Sequence, residues 1–211
     1  MKYQYFLFDW DGCLADTLSL WLRAYDLLLK EKNILLTSDQ IVSDFFGGGY
    51  EGPQKHGLDG EEFYVELMPR VSTSLQSVSL HPNVKETLED LKSKEKKLAI
   101  VSTSYSTEVK PALGINKLED LFDTVVCGDD VTRFKPDPEP LEKAMREIAA
   151  YPEETIMIGD SEKDILAGKN TGVTTALFYP EVNQKLYIGE VVKSLRADYF
   201  FTDFRDLLQL A

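Results

Sequence analysis

From Asn83 onward the chain alternates short apolar runs with amphipathic stretches, and this rhythm constrains its fold more than any other feature. Lys97–Val101 (KLAIV), Thr124–Cys127 (TVVC), Thr155–Ile158 (TIMI), Thr174–Leu177 and the weaker Tyr199–Thr202 read as strands. Between them, Val84–Glu95, Thr107–Leu113, Pro138–Ala150 and Ser161–Asn170 carry helical spacing, and Asp203–Leu208 reads as a closing helix. Strand–helix alternation of this kind demands right-handed crossovers and a parallel sheet. The run Tyr5–Phe8 (YFLF) belongs to the same sheet as a buried strand.

Between that first strand and the rest lies a segment of different character. Leu18, Trp21, Leu22, Tyr25, Leu28 and Leu29 recur at helical spacing, and Thr37 or Ser38 is placed to cap a second helix ending near Phe45. GGGYEGPQKHGLDG is loop by composition, and Glu61 to about Leu75 returns to helical character. The expected architecture is α/β: a three-layer, Rossmann-like parallel sheet core from residues 1–16 and 80–211, interrupted by a helical-bundle cap over residues 17–79.

In an open parallel sheet, ligands bind beyond the carboxyl ends of the strands. Strand one ends at Asp9, Asp11 and Asp16, and the strand at 97–101 ends at Ser102, Thr103 and Ser104. The strand at 124–127 leads to Asp129, Asp130 and then Lys135, and the strand at 155–158 ends at Asp160, with Asp164 one helical turn on. Carboxylates gathered on one edge repel each other unless a cation sits among them. An all-oxygen set suits a hard ion, Mg²⁺ above all, which also favours phosphate oxygens. A carboxylate facing such an ion can act as a nucleophile, and its neighbour two residues on can move the proton. Lysine and hydroxyl donors suit a transferring phosphoryl group.

These residues resemble the haloacid dehalogenase superfamily, specifically its phosphatases with a helical cap after the first strand. FDWDGCLADT is similar to the D-x-D-G-x-x-x-D-[ST] motif; the resemblance makes Asp9 the nucleophile and Asp11 the general acid/base. LAIVST resembles the second motif and implies phosphate binding at Ser102, with Thr103 beside it. Lys135, in FKPDP, resembles the third-motif lysine, a catalytic and substrate-binding group. IGDSEKD resembles the fourth, implying Mg²⁺ ligation by Asp160 with Asp164 in support. The side chain of Asp9 and the backbone carbonyl of Asp11 complete the implied metal set of Asp9, Asp11, Asp160 and Asp164. Trp10 and Thr103 depart from the family's usual smaller apolar residue and asparagine.

The implied activity is a phosphatase acting on a small phosphorylated metabolite, of the phosphoglycolate-phosphatase type. A phosphosugar mutase of the β-phosphoglucomutase kind shares the core motifs, and a non-enzymatic phospho-acceptor module would gather similar groups. Gly47–Gly52 spells G-x-G-x-x-G but leads into Pro53, which argues against a dinucleotide site and for a cap loop facing the active site. Gly48, Lys55 and His56 are the substrate contacts expected from that loop, and His81 is expected at a hinge. Thirty-six acidic against 23 basic residues give a net charge of −13, which excludes ready binding to nucleic acid or anionic lipid. No apolar run approaches the roughly 18–20 residues that span a bilayer. The start begins like a leader but its apolar run, Tyr5–Phe8, is broken at once by Asp9 and Asp11; with only Cys13 and Cys127, the expectation is a cytoplasmic protein, monomeric or homodimeric, with reduced thiols.

Overall fold

The computed structural model describes residues 2–46, 50–186 and 194–211. Six strands, β1 (Tyr5–Phe8), β2 (Lys97–Val101), β3 (Thr124–Val126), β4 (Thr155–Gly159), β5 (Thr174–Phe178) and β6 (Tyr199–Phe201), form one sheet in the order β3-β2-β1-β4-β5-β6. Every pairing is parallel, as the strand–helix alternation requires. The chain therefore winds outward from β1 in one direction and returns to lay β4 on its other side. The topological switch point falls between β1 and β4, where a crevice opens beyond the strand ends.

Helices α5 (Val84–Ser93), α6 (Ser106–Asn116), α7 (Glu139–Glu147) and α8 (Glu162–Thr171) cover the two faces. The strand period of two sorts the side chains. Phe6, Phe8, Leu98, Ile100, Ile156 and Ile158 pack with Leu88 of α5, Val109 of α6 and Phe204. Leu7, Ala99, Val101 and Met157 pack with Leu141 and Ala144 of α7 and Ala167 of α8 on the opposite side. Because both faces are covered, the strands read as continuous apolar runs rather than alternating ones.

Between β1 and α5 stand α1 (Leu18–Glu31), α2 (Ser38–Phe45), α3 (Glu51–Lys55) and α4 (Gly60–Gln76). They own a separate cluster in which Tyr25, Leu28 and Leu29 of α1 meet Ile41, Phe45, Phe63, Leu67 and Val71. Thr37 caps α2 as expected: its hydroxyl accepts from Gln40 N–H at 3.3 Å, and the Gln40 side chain accepts from Thr37 N–H at 2.8 Å. Thr37→Ala is expected to cost about 1 kcal/mol of stability, read as a lower urea midpoint.

The segments flanking these helices run beside each other. Ala15 pairs antiparallel with Leu80, Asp16 N–H donates to Ser79 C=O at 3.0 Å, and His81 N–H donates to Leu14 C=O at 3.0 Å. His81 is buried at this junction, its ring edge-on to Phe178.

Two expectations need correction. The stretch after Gly49 is not all loop, because residues 51–55 form α3. Its Gly and Pro, which suggested a loop, serve a close contact instead: a Cβ at Gly52 would stand 2.6 Å from the Asp44 carbonyl oxygen. Pro53 sits in the first helical turn, where its missing N–H is not needed. The closing helix is a tighter 3₁₀ segment at Phe204–Gln209. Gly48 lies outside the described residues, and no described helix is long and apolar enough to cross a membrane.

Candidate active site

The crevice between β1 and β4 collects four buried charged side chains, those of Asp9, Lys135, Asp160 and Asp164. Asp9 follows β1 directly, its N–H donating to Ile158 C=O of β4 at 2.8 Å, so the backbone ladder itself aims the residue. Asp160 follows β4, and Asp164 sits in the first turn of α8. Single oxygens of Asp9, Asp160 and Asp164 all lie within 4.8 Å of one another. Lys135, 3% exposed, enters from the β3–α7 connection and spends all three ammonium hydrogens. It donates to Asp9 Oδ1 at 2.6 Å, Asp164 Oδ1 at 2.6 Å and the Val101 carbonyl at 2.9 Å.

The other oxygen of Asp164 accepts from Ser161 N–H at 3.1 Å and Ser161 Oγ–H at 2.6 Å, capping α8. Asp164 thus anchors the lysine and the helix start together. A Cβ at Gly159 would collide with Asp164 Cβ at 2.3 Å, so only glycine lets β4 run this close to α8.

Electrostatics follow from burial. Desolvation, then the Asp164 charge, push the Asp9 carboxyl up to about 7 against the opposing pull of Lys135. Burial alone would lower Lys135; the Asp164 and Asp9 carboxylates outweigh it and hold the ammonium above its ordinary range. Three buried carboxylates against one lysine leave an excess of two negative charges when all are ionised. That excess and the all-oxygen donor set fit a divalent hard cation such as Mg²⁺.

Asp11 points elsewhere. Its Oδ1 accepts from Trp21 Nε1–H of α1 at 3.0 Å, and its Oδ2 lies 2.6 Å from Ser104 Oγ. Ser102 is buried at the end of β2, its hydroxyl accepting from Ser104 N–H at 3.0 Å, while Thr103 beside it is exposed. Lys55 and His56 share one carboxylate in the helical insert: His56 Nε2 stands 2.9 Å from Asp44 Oδ2, and Lys55 Nζ 3.7 Å from Asp44 Oδ1. The His56 ring also stacks on Phe45.

A second grouping, Cys127 with Asp129 and Asp130, brings its ligand atoms equally near one another. Burial, then Asp130, push its thiol up to about 12, and Ser106 and the Cys127 N–H engage the two carboxylates. This is a structural turn.

Three participants escaped the sequence reading. Trp21 was legible only as an apolar position of α1, yet its indole N–H reaches Asp11. Asn183, after β5, donates to the Gly12 carbonyl at 2.9 Å and to Asp160 Oδ2 at 3.3 Å. Half-buried Lys163 of α8 is lowered by burial, with Glu51 of α3 pulling upward and Lys135 pushing further down, so its charge senses both the insert and the site.

The family model for haloacid dehalogenase-like hydrolases matches residues 6–178, and the chain belongs to that family of hydrolases. The pyrophosphatase PpaX of Bacillus cereus is 36% identical over 223 residues, an alignment covering 100% of this chain and 97% of that one. Among solved structures, a hydrolase from Pseudomonas syringae superposes with a TM-score of 0.82 at 25% identity, covering 98% of this chain and 96% of the other. A Lactobacillus plantarum chain named as a phosphoglycolate phosphatase superposes with a TM-score of 0.87 over 100% of both chains; at 21% identity it speaks to the fold alone.

Proposed function

We propose that this family member is a Mg²⁺-dependent phosphatase that hydrolyses a small phosphorylated metabolite through an aspartyl phosphate on Asp9. The observation that carries this reading is the Lys135 ammonium held between Asp9 and Asp164, beside Asp160, at the switch point of the sheet. Residues 1–16 and 80–211 form the catalytic core in this reading, and residues 17–79 the cap that excludes bulk water. Asp9, Asp160 and the Asp11 carbonyl would hold the ion, with Asp164 in support. Bound there, Mg²⁺ neutralises charge on the phosphoryl oxygens.

Asp9 attacks phosphorus, and the bond from phosphorus to the departing oxygen breaks. Lys135 and the Ser102 hydroxyl offset charge on the transferring group. Asp11 gives the departing oxygen its proton. An indole N–H can only donate, so Asp11 Oδ1 must accept from Trp21 in either protonation state. A hydroxyl donates or accepts, so Oδ2 carries the acid proton with Ser104 accepting, and Ser104 turns to donate once the proton has left. Asp11 then takes a proton from water, which attacks the phosphorus of the acyl phosphate, freeing inorganic phosphate and the Asp9 carboxylate. Thr103, Lys55 and His56 remain proposed substrate contacts, as does Gly48, which lies outside the described residues. The protein works in the cytoplasm on a free metabolite, as a monomer or homodimer, without nucleic acid or membrane.

The likeness to PpaX favours pyrophosphate within the substrate panel that tests this. Phosphate release is measured from pyrophosphate, phosphoglycolate and phosphosugars, with Mg²⁺ and with chelator. Release with at least one of them, falling at least about a hundredfold on chelation, is the expected result. Isomer formation without phosphate release would assign a mutase, and a lasting phospho-aspartate without turnover a binding module.

A further inference from the structure

Asn183 is fully buried in the turn that follows β5, and its N–H closes that turn on the Pro180 carbonyl at 3.0 Å. The side-chain amide faces two groups that only accept: the Gly12 carbonyl at 2.9 Å and the Asp160 carboxylate at 3.3 Å. Those acceptors dictate that the NH₂ end points at them. The Oδ1 end has no donor among the described residues, an arrangement that typically costs about 1–3 kcal/mol. What the amide contributes therefore lies wholly on its donor side.

One acceptor is the carboxylate of a proposed cation ligand, and the other is the carbonyl of the residue that follows Asp11. Gly12 adopts φ +79°, and a Cβ there would sit 2.4 Å from Asp160 Oδ2, so the carboxylate lies flat against the turn that follows Asp11. One amide thus clasps the two loops, after β1 and after β4, that supply the ion's ligands.

We propose that Asn183 is a positioning residue for the cation site, fixing the rotation of the Asp160 carboxylate and the Gly12 turn so that the site is formed before the ion arrives; this rests on the phosphatase reading above. Donors of this kind behind a ligating carboxylate typically govern metal affinity by 10–100-fold. The test is calorimetric titration of the full chain with Mg²⁺, without substrate, beside melting of the metal-free protein. Asn183→Ala is expected to weaken Mg²⁺ binding about 10–100-fold, and Asn183→Ser, which keeps one short donor, by less. Should the alanine variant not fold, the serine variant decides. Parent-like affinity in a folded variant, with only a lower melting temperature, makes Asn183 a purely structural residue and overturns the proposal. Asp160→Asn is the control for the underlying reading. If it too binds Mg²⁺ like the parent, the assigned cation site fails; if it loses binding while the Asn183 variants keep it, only the present inference fails.

Discussion

Asp9→Asn is expected to release phosphate at least about a thousandfold more slowly than the parent while keeping its circular-dichroism spectrum. The amide keeps the shape of the side chain and can still accept from Lys135, but it lacks the anionic oxygen that the proposed acyl phosphate requires. Losing one of three crowded buried carboxylates also relieves repulsion, so the metal-free variant should melt no lower than the parent by more than a few degrees. Acid-quenched turnover followed by intact-mass measurement completes the check. The parent gains one phosphoryl group and the variant none. A variant retaining a tenth of parental turnover would exclude Asp9 as the nucleophile.

Lys135→Ala should be the most destabilising single change at the site. It strips the buried ammonium from Asp9 and Asp164 and leaves two carboxylates facing each other in a dry crevice. Breaking a buried ion pair from one side typically costs about 3–5 kcal/mol, readable by urea denaturation in chelator. The pH dependence has a definite sign. The Asp9 carboxyl already titrates at about 7 in the folded protein against an ordinary 3.8. Between these values the native state binds more protons than the unfolded chain, so this group's contribution to stability falls as pH rises through that window. Without the opposing lysine the folded value rises further. The variant should therefore regain stability on acidification over a wider range than the parent, and a flat or inverted profile would contradict the electrostatic account.

The order of the four site segments is readable because each follows a short apolar run, directly for Asp9 and Asp160 and after a connection for Lys135 and Asp164, and a parallel sheet brings all such ends to one rim. Asp9, Lys135, Asp160 and Asp164 needed no more than that. Asn183 was invisible for the opposite reason. It follows β5 by way of Tyr179–Pro180–Glu181–Val182, a segment with no charge pattern or motif, and its bond to the Gly12 carbonyl spans 171 positions of chain. Trp21 reads from its spacing as an apolar position of α1 and is half-buried there, but period alone says nothing of where an indole N–H points. The helix at 51–55 escaped because glycine and proline usually end helices, and here they permit tight packing on Asp44 and Phe45. Ser104 stood at the right strand end, yet its bond to Asp11 depends on how two loops curl, which local pattern does not encode.

The side-by-side pairing of Leu14–Asp16 with Ser79–His81 has an evolutionary consequence. Entry and exit of the helical segment are stitched to each other before either reaches the sheet. Insertions, deletions or wholesale exchange between them leave the spacing of the acidic rim untouched. Selection is thereby free to rework the segment as a detachable cassette, and, if the proposed cap role holds, to change selectivity without moving the acidic rim.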